Sequence, residues 1–204
     1  MKTSALLFDL GNVVVEVDFE RALAHWEPHS RLAPARLREL FHFDAPYQGH
    51  EVGRIAAGDY FAHLRELLGL DCDATVVETG WNAIFTGAVD ETVALLDEVR
   101  SQVPCYALSN TNAVHIAAVR AQFPGLLERF HGVFFSHEIG FRKPHPAAFA
   151  HALERMSAPA AEVLFFDDLA DNVEAAQALG MQGVVVRSPA DVREALTARG
   201  LRRP

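Results

Sequence analysis

Five short stretches, residues 5–8, 105–108, 133–135, 163–166 and 184–186, are apolar without a break. Continuous rather than alternating apolarity belongs to strands covered on both faces, and so to a parallel sheet. The segments between them carry helical spacing. Residues 91–99 bring Val93, Leu95, Leu96 and Val99 toward one side, and residues 113–122, 146–156 and 172–179 also read as helices. Gly180 stands where a helix C-cap is expected, and Ser188-Pro189 opens a last helix toward Ala198. Strand and helix in alternation predict a doubly wound α/β domain.

One stretch departs from that alternation. Between residues 19 and 87 no buried strand is evident, only helical segments punctuated by Pro28, Pro34, Pro46, Gly58 and Gly69. Leu37, Leu40 and Phe41 fall on one helical face, as do Phe61, Leu64, Leu67 and Leu68. The expected organisation is a Rossmann-like core of residues 1–18 and 88–204, with an all-helical cap inserted over residues 19–87.

Composition narrows the partners. The formal charge of −9 over 204 residues argues against a nucleic-acid backbone or an anionic membrane surface. Cys72 and Cys105 cannot build a disulfide framework, and both read as small buried hydrophobes. The apolar run before Asp9 is too short for a signal segment or a membrane span. A cytoplasmic, reducing setting is expected. Of 18 basic residues only Lys2 and Lys143 are lysine, so an internal lysine in an arginine-rich chain invites a specific reason.

In an open α/β sheet, ligands bind beyond the carboxyl ends of the strands. Asp9 follows the first apolar run, Ser109 and Asn110 the second, and Asp167-Asp168 a later one; Lys143 lies in the loop after residues 133–135. Three carboxylates at one edge repel one another unless a cation sits among them, and an oxygen-lined site of that size suits magnesium. A lysine and a hydroxyl beside such an ion complement a phosphate. A carboxylate facing phosphorus can attack it and form an acyl-phosphate. Singly, each residue could equally be a helix cap.

Together, Phe8-Asp9-Leu10-Gly11-Asn12-Val13, Leu108-Ser109-Asn110, Arg142-Lys143-Pro144 and Phe166-Asp167-Asp168-Leu169-Ala170-Asp171-Asn172 resemble the four motifs of the haloacid dehalogenase (HAD) superfamily, in order and spacing. The first motif is similar to that of bacterial α-D-glucose-1-phosphatase-like members. The last is similar to the phosphatase domain of soluble epoxide hydrolases. The resemblance implies that Asp9 is the nucleophile and a magnesium ligand, with the Gly11 carbonyl a second ligand. Ser109 and Asn110 would hold the phosphate, and Lys143 would steady nucleophile and phosphoryl charge. Asp168 would bind the metal directly with Asp167 beside it, and Asn172 would organise their loop. The cap would close over the site and select a small phosphorylated substrate, a sugar phosphate such as glucose 1-phosphate being favoured.

One departure matters. Phosphatases of the superfamily usually carry a second aspartate two residues after the nucleophile, as general acid and base. Gly11 occupies that position here. In the cap, Tyr47, His50, Glu51 and Trp81 are candidates to line the pocket. Two other readings stand beside the phosphatase: a 2-haloacid dehalogenase, whose aspartate attacks carbon without a metal, and a non-catalytic binding module. The pair Asp167-Asp168 speaks against the first, and the complete set Asp9, Ser109, Lys143 and Asp168 against the second.

Overall fold

The computed structural model describes residues 2–203. The chain enters through β1 (Ala5–Phe8) and leaves the sheet as β2 (Val15–Val17). Five helices follow: α1 (Glu20–Trp26), α2 (Pro34–Leu40), α3 (Ala45–Glu51), α4 (Ala57–Leu67) and α5 (Ala74–Asn82). Then β3 (Phe85–Ala88) returns antiparallel to β2. The remaining chain runs through α6 (Asp90–Val99), β4 (Cys105–Ser109), α7 (Ala113–Gln122), β5 (Gly132–Phe135), α8 (Ser136–Ile139) and α9 (Pro146–Met156). It finishes with β6 (Val163–Asp167), α10 (Ala170–Ala178), β7 (Gln182–Val185) and α11 (Pro189–Ala198).

Five strands pair in parallel in the order β5-β4-β1-β6-β7. β1 is central, and its two-residue period divides it between two layers. Leu6 and Phe8 pack with Leu96 and Val99 of α6, Ile116 and Val119 of α7 and Leu196 of α11. Ala5 and Leu7 face the other way, against Phe149 and Ala152 of α9 and Val173 and Ala176 of α10. Helices on both faces explain why the strand sequences are apolar throughout. The strand order reverses direction at β1, so a crevice opens beyond Phe8.

The five helices between β2 and β3 bury their own cluster around Trp26, Tyr60 and Trp81. The indoles of Trp26 and Trp81 stack 6.5 Å apart, 11° from parallel. Gly80 permits the approach, since a Cβ there would lie 2.1 Å from Trp26 Nε1. The expected faces of Leu37 in α2 and of Phe61 and Leu64 in α4 point into this cluster.

The β2–β3 ribbon was not expected from sequence. Its strands are short and expose Glu16 and Thr86, so neither carries an unbroken apolar run. The boundary placed at 87/88 falls within β3. The last sheet strand also differs, beginning at Gln182 rather than Val184 and lying half-buried at the sheet edge.

Candidate active site

Four of the five sheet strands deliver a polar group to the same edge. Asp9 follows β1, and its backbone N–H donates to Phe166 O at 2.8 Å, keeping it in register with β6. Ser109 ends β4 and Asp167 ends β6, with Asp168 next. After β5, α8 stops at Gly140, whose φ of 78° turns the chain back. That turn brings Lys143 in beneath the other strand ends.

Lys143 is held at both ends. Its Nζ donates to Asp167 Oδ2 at 2.6 Å and lies 2.8 Å from Asp9 Oδ1. Its main chain is clamped by the Asn110 amide, which donates to Lys143 O at 2.9 Å and accepts from Lys143 N at 2.7 Å. The Asn110 side chain is thus committed to the lysine loop, and any contact it makes to phosphate would come from its main chain. Asp167 is equally committed. Its Oδ1 accepts from Leu169 N and Asn172 Nδ2, both at 2.9 Å, and its Oδ2 accepts from Lys143 Nζ and, at 3.1 Å, Asn172 Nδ2. Asn172 thus holds the Asp167 carboxylate in place. Asp168 is half-buried and receives Asn12 Nδ2 at 3.2 Å. Asn12 takes φ 55° to do this, its Oδ1 accepting from Val17 N at 3.0 Å.

Carboxylate oxygens of Asp9, Asp167 and Asp168 lie within 4.8 Å of one another. One ammonium against three carboxylates leaves two negative charges unbalanced, which a divalent cation would neutralise. Asp9 is raised from 3.8 to about 7, by burial first and also by Asp167 and Asp168, against the pull of Lys143. Asp168 is raised as well, by burial first and by Asp167, against the hydrogen bond from Asn12. Burial alone would lower Lys143, but Asp9 and Asp167 outweigh it and hold the ammonium above its ordinary value.

A cavity of about 300 Å³ opens above this cluster, lined by Asp9, Ser109, Lys143 and Asp168 at one end. Of the cap residues expected at the pocket, Tyr47 and Glu51 of α3 line it. His50 and Trp81 are instead packed behind the lining. The His50 ring stacks on Tyr60 at 4.8 Å, and Trp81 is fully buried between Trp26 and His115. The reason is local: Tyr47 and Glu51 are four residues apart on α3 and share a face, whereas His50 adjoins Glu51 and points elsewhere.

Glu51 is buried and opposed by Arg142, whose Nε lies 2.7 Å from its Oε2 but skewed from hydrogen-bond alignment. Burial raises the Glu51 carboxyl, and Arg142 pulls it back only in part. This pair, joining α3 to the loop that carries Lys143, was missed from sequence. Nothing distinguishes Arg142 from the other arginines except its place beside Lys143. His115 is neutral: burial pushes it down to about 3, and its nitrogens meet Asn112 and the Trp81 carbonyl, each at 3.1 Å. His145 caps α9, accepting from Ala147 N at 3.1 Å.

A parallel sheet whose strand order reverses at a buried carboxylate, with a lysine and two further carboxylates around it, defines an α/β hydrolytic enzyme with an aspartate nucleophile candidate. The chain belongs to the haloacid dehalogenase-like hydrolase family, which matches residues 3–180. Its relatives include D-ribitol-5-phosphate phosphatase of Bacteroides thetaiotaomicron, 25% identical over 198 residues that cover 94% of this chain and 96% of that protein. The sesquiterpene phosphatase astK of Aspergillus oryzae is 29% identical over 189 residues, 88% of each chain. Among solved structures, a HAD family enzyme of Bacteroides thetaiotaomicron in complex with magnesium and inorganic phosphate superimposes with a TM-score of 0.82 at 25% identity, over 91% of this chain and 95% of that one. Among the described residues no helix is long and apolar enough to cross a membrane.

Proposed function

We propose that the chain is a magnesium-dependent phosphomonoesterase that hydrolyses a small phosphorylated metabolite through an aspartyl-phosphate on Asp9. The observation carrying this reading is the meeting of three carboxylates and one buried ammonium at the base of a single cavity, whose lining includes Asp9, Asp168 and Lys143. Asp9 Oδ1 is held by Lys143 and, at 2.7 Å, by Leu10 N, and the carboxylate attacks phosphorus. The alcohol departs, a water opens the acyl-phosphate, and inorganic phosphate leaves with the carboxylate restored. Ser109 would donate to a phosphoryl oxygen, and Lys143 would offset the charge developing on nucleophile and phosphoryl group.

Asp9, Asp168 and the Gly11 carbonyl suit the metal, whereas the oxygens of Asp167 are already filled by protein donors. When bound, magnesium would supply positive charge to balance the carboxylates and the incoming phosphate. The five helices from α1 to α5, within residues 19–87, would act as the cap that excludes water. A dehalogenase reading leaves the acidic cluster without a purpose.

The test is p-nitrophenyl phosphate turnover with and without metal, beside chloride release from a 2-chloroacid. Activity should vanish in EDTA and return with magnesium, and Asp168→Ala should need far more magnesium for the same rescue. Full activity in rigorously metal-free buffer, or chloride release without phosphatase activity, would sink the proposal.

The organic part of the substrate is a separate matter. The sequence resemblance favours a sugar phosphate such as glucose 1-phosphate, and the likeness to a D-ribitol-5-phosphate phosphatase leans the same way. The cavity wall, apolar away from the phosphate end, weighs against a polyol.

Gly11 carries a further expectation. No proton donor faces the leaving oxygen from that position, Asn12 is engaged with Asp168 and Val17, and His115 is neutral with both nitrogens occupied. Poor leaving groups should therefore suffer, so kcat/KM should fall steeply as leaving-group pKa rises across aryl and alkyl phosphates. A Cβ on Gly11 would meet only Val17 Cγ2, at 3.7 Å, so the backbone there accepts the Cβ of Gly11→Asp. That variant should flatten the slope and raise turnover of alkyl phosphates by about tenfold or more, the lower part of what a placed acid supplies. A flat line in the parent enzyme would mean another group donates the proton.

A further inference from the structure

We infer that the substrate is a phosphate monoester whose organic part is apolar, an alkyl, prenyl or aryl group rather than a polyol; this rests on the phosphatase reading of the same site. The two ends of the cavity differ in chemistry. Beyond Asp9, Ser109 and Lys143 the wall is formed by Val17 of β2, Phe19, Phe43, Phe85 of β3, and Ile116 and Val119 of α7. These come from the β2–β3 ribbon, the start of the helical insertion and one face of α7, so the apolar surface closes around the leaving-group side from several directions.

The polar side chains on that part of the wall are turned to one another. Glu51 is opposed by Arg142 as an ion pair, although its Oε2 and Arg142 Nε are not aligned for a hydrogen bond, and the Tyr47 hydroxyl lies against the Glu51 carboxylate. His115 spends one nitrogen on Asn112 and the other on the Trp81 carbonyl. Thr111 adds one hydroxyl. A polyol brought here would exchange water for hydrocarbon at most of its hydroxyls, an exchange that penalises binding unless each finds a partner. An apolar group would instead be freed from water by the same wall.

Size agrees. About 300 Å³ holds on the order of ten water-sized groups, so a phosphate of five heavy atoms leaves room for an organic part of roughly five, by the same measure. At the rim, Phe43 is 52% exposed and Leu169 56% exposed. They extend the apolar surface outward, where a longer tail would run. Phe43 packs edge-on to Phe19 at 5.4 Å and against Tyr47 at 4.6 Å, so the rim is continuous with the inner wall.

The discriminating experiment is steady-state kinetics on n-alkyl phosphates from ethyl to octyl, beside glucitol 6-phosphate and p-nitrophenyl phosphate. Primary alkanols differ little in acidity along the series, so chain length is varied with the chemistry held nearly constant. KM should fall about two- to fourfold for each methylene that reaches the wall, the upper figure being full burial. Hexyl phosphate should show a KM about tenfold or more below that of glucitol 6-phosphate, since several hydroxyls go unpaired. A KM independent of chain length, or a lower KM for the glucitol ester, would overturn the inference while leaving the phosphatase reading intact. Loss of all turnover, p-nitrophenyl phosphate included, would strike the phosphatase reading. The wall is then judged by calorimetric titration of ethyl and octyl phosphate into the magnesium-loaded protein. Tighter octyl binding supports it, and equal binding refutes it. Phe43→Ser, at an exposed position where folding is not at stake, should raise KM for octyl phosphate more than for ethyl phosphate; an equal change in both would refute a role for the rim.

Discussion

Asp9→Asn is expected to lose turnover by on the order of ten-thousand-fold or more, the scale on which removing a nucleophile acts. The amide is a far weaker nucleophile and cannot carry the charge that would hold a metal. It is close in shape to the carboxyl it replaces, and the backbone N–H of residue 9 keeps its bond to Phe166 O. The fold should therefore persist, and the sign of the stability change follows from the raised pKa. A carboxyl lifted from 3.8 to about 7 on folding contributes stability below its unfolded pKa that is lost as pH rises through about 7. At pH 8 without metal the parent protein bears the whole penalty of a buried, ionised Asp9, and the asparagine variant bears none. The variant should melt no lower than the parent at pH 8 in EDTA. The parent should gain stability between pH 8 and pH 5, and the variant should gain less. Normal turnover by a correctly folded Asp9→Asn protein would end the covalent mechanism. A lower melting temperature at pH 8 would show that the Asp9–Lys143 contact outweighs the burial of the charge.

The sheet was legible because parallel strands covered on both faces must be apolar at every position, and these short runs alternate with longer segments of helical spacing. Residues 5–8 and 163–166 are the clearest cases, and every residue in them is buried. The same rule fails for the ribbon, where Glu16 and Thr86 face water and the run is interrupted. The chemical groups were legible as strand-end residues, because topology alone sends Asp9, Ser109 and Asp167 to one edge. What each side chain then does was not. That Asn110 spends its amide on the Lys143 backbone, and that Asp167 is saturated by Lys143, Asn172 and Leu169, are facts of distance between segments remote in sequence. The cap was the least legible part. A helical face can be read from spacing, but whether Trp81 meets a ligand or His115 depends on how α5 seats against α7. The apolar wall was hidden for a related reason: Ile116 and Val119 carry the same signal whether they face a core or a cavity.

Lys143→Arg should fail badly although it keeps the charge, with kcat/KM falling about a hundred- to a thousandfold, the range seen when one oxyanion donor is lost. The lysine side chain is 1% exposed and ends between two carboxylates, 2.8 Å from Asp9 and 2.6 Å from Asp167, with its ammonium 5.6 Å above the Phe165 ring. A compact ammonium fits that gap. A planar guanidinium is broader, prefers a forked approach to a single carboxylate, and would have to displace either Asp9 or Asp167. Retreat of the backbone is blocked by the Asn110 clamp on residue 143. Lys143→Met gives the control, because it fills similar volume without charge. It leaves Asp9 and Asp167 buried with less compensation, an imbalance that costs about 3–5 kcal/mol when one partner of a buried pair is removed. The methionine variant should therefore melt well below the parent in EDTA and recover part of the difference with magnesium. The arginine variant should lose activity with a smaller drop in melting temperature. If Lys143→Arg kept most of its kcat/KM, the lysine would supply only a general positive field, and the tight geometry around Asp9 would not be what the reaction requires.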